Sequence, residues 1–335
     1  MVATAALVFA TSTAWADIKI GFNVPLTGFA AADGKSALQG AQLAVNQVNA
    51  SGGVAGQKIE LVVYDDQASP KEAVPSATKM VEKDGVIAAV SGSYSGSTRA
   101  AASVFQRAKI PYVVAYAIHP DITLAGDYMF RVSAMGEVQG RGGAKLAQNL
   151  GKKNVVLITL KNDFGKALAS GFKDAAPNLG LTIINEYEYG MPDRQFGPLV
   201  SKLKSDNPEV IYASGYFFTA GPLVSQIRAA GITAPIIGQE GYDSDKFIEI
   251  AGDASEGTLI TTSLDRDSKA PATIAFLADY RKATNQGADM VAASSFTAMA
   301  VLINALKRTD GKGGVALRDA IASGTYDMPI GKLTF

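Results

Sequence analysis

From residue 18 onward, short apolar runs alternate with amphipathic segments, and that alternation leaves few architectures open. Apolar runs at 18–23, 59–64, 86–90 and 112–116 read as strands, with helical stretches at 34–48, 70–83 and 98–108 between them. In the first helix Leu38, Ala41, Val45 and Val48 recur in steps of three and four, which puts them on one face. It stops at Asn49-Ala50-Ser51-Gly52-Gly53, where glycine is available for the C-cap. Pro70 suits the first turn of the next helix, whereas Pro75 lies inside it and should kink it. A second series has strands at 155–160, 181–189, 210–214 and 236–238, with helices at 165–176, 196–204 and 220–230. A third stretch adds a strand at 259–262 and helices at 273–284 and 292–306. Strand–helix alternation of this kind means parallel sheets covered by helices on both faces. The expected fold class is therefore α/β, with two doubly wound lobes.

The 335 residues suffice for two ordinary domains. Thirty-one acids balance 31 bases, and no Lys/Arg run could build the basic face that nucleic acid demands. With no cysteine, disulfides, thiolate metal sites and a cysteine nucleophile are excluded. His119 is the one histidine, so a Ser-His-Asp triad would have to use it, and zinc has no histidine pair. Neither a cofactor nor a metal is expected.

Residues 1–16, MVATAALVFATSTAWA, are uncharged and end in Ala14-Trp15-Ala16 before Asp17. They read as the later part of a secretory signal, with its apolar region and A-x-A cleavage site but without a basic start. No other stretch approaches the ~20 apolar residues of a membrane span. The expectation is an exported, soluble protein beginning near Asp17.

Several catalytic look-alikes fail on spacing. Gly28 to Gly34, followed by Lys35-Ser36, resembles a phosphate-binding loop with one residue too many between its glycines. Ser201-Lys202-Leu203-Lys204 and Ser205-Asp206-Asn207 spell two penicillin-recognition elements, but they are contiguous and lack the third. Asp65-Asp66 reads as a solvated strand end rather than a cation site, and His119 as a loop residue. No enzyme is expected.

Gly92-Ser93-Tyr94-Ser95-Gly96-Ser97-Thr98 links a strand to a helix, at the sheet edge where open α/β folds bind ligands. Small hydroxyls, free N–H groups and a helix dipole there favour an anion such as a carboxylate. Plain helix capping by Ser95 or Ser97 explains the same residues equally well.

The order of several segments is more specific. Ile18-Lys19-Ile20-Gly21-Phe22, Pro25-Leu26-Thr27-Gly28, Gly52-Gly53-Val54-Ala55-Gly56, Tyr64-Asp65-Asp66, Tyr212-Ala213-Ser214-Gly215-Tyr216 and Ile250-Ala251-Gly252 follow one another at family spacing. Over nearly all of the chain from Asp17, the sequence resembles the type I periplasmic binding proteins of branched-chain amino acid ABC transporters. The resemblance implies an interlobe site in which Ser95 takes the ligand carboxylate, helped by the main chain of Tyr116 and Ile118. It implies that Glu240 pairs with the ligand ammonium, that Tyr216 lines the pocket, and that Phe164 lies over the ligand. It further implies a monomer outside the cytoplasm that serves a membrane permease.

The sequence departs from the family at a few of these positions. Tyr116 and Ile118 replace a small residue and a threonine, and Asp33 stands near where some members have an aromatic. The family's disulfide positions fall near Ala68 and Tyr94. These departures leave room for a small polar amino acid, an aromatic or other carboxylate, or an amide, besides branched-chain amino acids. A sensor reporting to a membrane receptor fits the same residues. The expected lobes are 17–132 plus 265–328 and 133–264 plus 329–335, with the final segment of the family's second lobe missing beyond Phe335.

Overall fold

A computed structural model describes residues 16–335, so all but the last residue of the expected signal segment lie outside the described residues. Strands β1 (Ile18–Val24), β2 (Ile59–Asp65), β3 (Ala88–Ser91), β4 (Tyr112–Val114) and β5 (Met129–Arg131) form the first sheet. Strands β6 (Asn154–Leu160), β7 (Thr182–Tyr189), β8 (Val210–Ala213), β9 (Ile236–Gln239) and β10 (Leu259–Thr261) form the second. All pairs within both sheets are parallel. A short antiparallel ribbon of β11 (Thr325–Met328) and β12 (Gly331–Thr334) completes the strands.

The first sheet runs β2-β1-β3-β4-β5 and the second β10-β9-β8-β6-β7. Counted from its own first strand, each sheet has the same order, although the two halves share no sequence repeat. Strand order therefore reverses between β1 and β3 in one lobe and between β6 and β8 in the other. Such a switch point leaves a crevice at the carboxyl ends of the strands, because the loops on its two sides leave in opposite directions.

The central strands are apolar because both faces are covered, whereas edge strand β7 alternates towards solvent. Ile20, Phe22 and Val24 of β1 and Leu157, Ile158 and Leu160 of β6 are buried. Helix Met290–Arg308 packs along Ala31–Ala50 and so returns to the first lobe. By length and apolarity it could cross a membrane, contrary to the sequence expectation that no stretch past the N-terminus comes close. Most of its apolar window is buried inside the protein, so its apolarity serves the core.

Helix Gly136–Asn149 was not apparent in the sequence. Its packing face is built from Gly136, Gly140 and Gly143 rather than from large apolar residues. A Cβ at Gly140 would run into the Leu168 carbonyl oxygen, and one at Gly143 into the Tyr212 ring. Glycine is what allows this helix to lie directly against Asp163–Ala175, at the root of the second lobe. Pro75 sits inside helix Pro70–Lys79, which passes directly into a π-helical turn at Met80–Asp84.

Candidate functional site

The loops at the two switch points meet. Tyr94, after β3, stacks on Tyr216, after β8, with ring centroids 4.1 Å apart and 4° between the planes. Phe164, at the start of the helix that follows β6, also stacks on Tyr216, at 4.7 Å. Phe29 and Phe218 meet across the cleft at 4.9 Å, and Arg99 pairs with Asp163 at 2.8 Å. Arg266 holds Asp243 at 2.6 Å beyond the aromatic stack. The lobes are thus closed on one another.

A cavity of about 20 Å³ remains between them, and its wall includes Asp33, Tyr94, Tyr116, Phe164, Tyr216 and Glu240. Four residues named from the sequence (Tyr116, Phe164, Tyr216 and Glu240) thus share this wall. Ser95 and Ile118 do not line it directly; they lie next to it, bonded to each other. The Ile118 N–H donates to Ser95 Oγ at 3.1 Å.

That bond bears on the capping alternative. Helix Ser95–Ala108 begins at Ser95 itself, three residues earlier than the sequence pattern indicated, with Tyr94 as N-cap. No side chain caps it. Ser95 is 2% exposed and spends its hydroxyl on the neighbouring strand-end loop, not on its own helix. A helix start of this kind carries first-turn N–H groups without partners in the helix, which favour an anion.

The loop carrying Ser95 has a fixed base. Asp66 accepts from Asn23 Nδ2 at 2.8 Å, Ser93 Oγ at 2.9 Å and the Ala68 N–H at 3.0 Å. It is fully buried, which corrects the sequence reading of a solvated strand end at this position. A buried carboxylate with three donors is a structural anchor, and this one ties β1, β2 and the Ser93 loop together. Tyr116 adds a second tether by donating from its hydroxyl to the Gly92 carbonyl at 2.5 Å. His119 is a loop residue whose Nδ1 accepts the Asp121 N–H at 3.3 Å.

Glu240 begins a short turn after β9 and is 3% exposed. Gln139 donates to its Oε2 at 2.9 Å. Burial pushes this carboxyl up to about 8, against the lowering effect of Gln139 and Arg131. Asp33, on the first lobe, is 5% exposed and takes the Tyr94 hydroxyl at 2.7 Å. Burial pushes it up to about 7. Asp33, Tyr94 and Gln139 were not assigned as site residues from the sequence. The replacement of a family aromatic by Asp33 was the one visible signal. Among the described residues, no group of three or more His, Cys, Asp or Glu side chains could hold a metal ion.

Two α/β lobes with facing switch points, closed over a small aromatic and acidic cavity, define a cleft-binding protein. The family model for periplasmic binding proteins matches residues 17–335, and the chain belongs to that family. It is 31% identical, over 98% of its length and 88% of the other, to the leucine-, isoleucine-, valine-, threonine- and alanine-binding protein of Pseudomonas aeruginosa. It is 33% identical to Leu/Ile/Val-binding protein homolog 3 of Brucella melitensis, covering 100% of this chain and 91% of that one. Among solved structures, the branched-chain amino acid transporter substrate-binding protein LivJ of Streptococcus pneumoniae, in complex with isoleucine, superposes with a TM-score of 0.89. That match has 28% identity and covers 95% of this chain and 92% of the other. These relatives are binding proteins rather than enzymes, and so is this chain.

Proposed function

We propose that this protein captures an amino acid in the interlobe cleft, in the periplasm, and delivers it as a monomer to the membrane permease of an ABC transporter. The observation that carries this reading is the convergence of both switch points on one cavity. Glu240, which gives up its proton when an ammonium faces it, comes from one lobe, and the Ser95 helix N-terminus comes from the other. A zwitterion has the two charges this arrangement needs.

Ser95, the first turn of its helix and the main chain of Tyr116 and Ile118 take the carboxylate. Glu240 takes the ammonium in a charge-assisted contact, which gains strength as closure excludes water. Tyr216 and Phe164 cover the aliphatic part. Only the closed form touches the ligand from both lobes, so the ligand selects closure. The lobes divide at 17–132 plus 265–328 and 133–264 plus 329–335, and three crossings of the chain between them, near 130–136, 261–265 and 331–335, act as the hinge. The relatives, which bind leucine, isoleucine, valine and other amino acids by name, support amino acids as the ligand class.

Thermal denaturation of the mature protein against the common amino acids tests this. A ligand at a hundredfold over its Kd is expected to add about 2.7 kcal/mol of stability. If none of them raises the melting temperature, the amino acid reading is wrong.

A further inference from the structure

Asp33 is an unusual wall for an apolar side chain. Its neighbours around the cavity are Tyr94, Tyr116, Phe164, Tyr216 and Met290, yet it is itself an acid that is 5% exposed. Its Oδ2 accepts the Tyr94 hydroxyl at 2.7 Å, and no other donor reaches the carboxyl among the described residues. Asp33 lies in the first turn of helix Ala31–Ala50 but does not cap it. Helix capping therefore does not account for an acid at this position.

Glu240 stands on the same cavity from the opposite lobe, and Gln139 satisfies only one of its two oxygens. One ligand ammonium answers Glu240. Asp33 still lacks a donor for its free oxygen, and an apolar ligand side chain would strip away water without replacing it. A side chain that ends in N–H or O–H would fill that place.

Resting on the amino acid reading of the cleft, we infer that Asp33 selects amino acids whose side chains carry a hydrogen-bond donor, which its free carboxyl oxygen accepts between the aromatic rings. The site then discriminates between near-isosteres. Threonine and valine have almost the same shape, as do glutamine and methionine, and only the first of each pair brings a donor. A polar site left unpaired by the wrong isostere rejects it by at least about tenfold.

Calorimetric titration of the mature protein with these four amino acids decides the matter, with Asp33→Leu and Asp33→Asn beside the wild type. The expected result is that threonine or glutamine binds at least about tenfold tighter than its isostere, and that Asp33→Leu abolishes or reverses the preference. Valine and methionine each binding the wild type as well as its partner would overturn the inference and leave the amino acid reading intact. An unchanged preference in a folded Asp33→Leu protein would overturn it equally. Should no amino acid bind at all, the reading of the cleft fails and the inference fails with it. The wild-type ratios decide even if a variant does not fold.

Discussion

The Tyr94 ring lies flat on the Tyr216 ring, 4.1 Å away and 4° from parallel, although the two belong to different lobes. Tyr94 is fixed on its own side by its hydroxyl bond to Asp33. Tyr216 is held by its stack with Phe164 and by its backbone N–H, which donates to Thr219 Oγ1 at 3.1 Å. Two rings held this way form a contact that exists only when the lobes are closed.

A double-mutant cycle with Tyr94→Leu and Tyr216→Leu measures that contact. Stacked aromatic pairs contribute about 0.5–1.5 kcal/mol beyond their buried area. The coupling is expected to appear in ligand affinity at about 1 kcal/mol, roughly fivefold, with the single variants each weaker than wild type. Strictly additive losses would mean that the rings do not meet in the liganded protein.

The buried acids give the protein a pH signature. Burial raises Glu240 to about 8 and Asp33 to about 7, both far above their unfolded values. A carboxyl with a raised folded pKa binds its proton more tightly when folded, so its stabilising contribution is complete below the unfolded value. That contribution declines as pH rises and is gone above the folded value. The melting temperature without ligand is therefore expected to fall between about pH 5 and pH 8. Glu240→Gln and Asp33→Asn should each flatten the decline. A ligand ammonium reverses the preference at Glu240, so binding at pH 7 should release a proton there. Titration enthalpies that scale with buffer ionisation heat would report it, and buffer-independent enthalpies would contradict it.

The glycine face of Gly136–Asn149 is open to a direct test. A Cβ at Gly140 meets a backbone carbonyl, which cannot rotate out of the way. Gly140→Ala is expected to destabilise by about 1–3 kcal/mol, the usual cost of overpacking, even though alanine is the better helix former. Gly142→Ala in the same helix has only one distant neighbour and should be neutral or slightly stabilising. Equal melting temperatures for the two variants would contradict the packing argument.

These residues also mark where the sequence was legible. Most strands of the two sheets stood out, the central ones because burial on two faces makes a parallel strand continuously apolar, as β6 and β8 are, whereas the three-residue β5 was too short to show. Gly136–Asn149 was hidden because its contacts depend on missing side chains, which leave no periodic apolar stripe. Ser95 lay in a strand-to-helix loop that the residues themselves marked, whereas Phe164, Tyr216 and Glu240 were singled out by family resemblance, since an isolated Phe or Glu carries no positional signal of its own. Asp66 was misread because burial of a carboxylate depends on donors from Asn23 and Ser93, far away in the chain. Gln139 stayed unread for the same reason, being tied to Glu240 only through the fold.

The Arg99–Asp163 pair makes the last expectation quantitative. At 2.8 Å it joins the N-terminal parts of two helices beside the cleft, one residue on each lobe. Arg99 is nearly half exposed, so water screens the attraction and the pair contributes only a fraction of its Coulomb energy. Asp163 also sits in the first turn of its own helix, where the dipole stabilises it with or without Arg99. Arg99→Ala should therefore weaken ligand affinity by less than about 1 kcal/mol, and salt should erase the difference. Asp163→Ala should cost more than Arg99→Ala in melting temperature, because it removes a helix-terminus charge as well as the bridge. A loss from Arg99→Ala that persists at high salt would assign Arg99 a direct contact with the ligand instead.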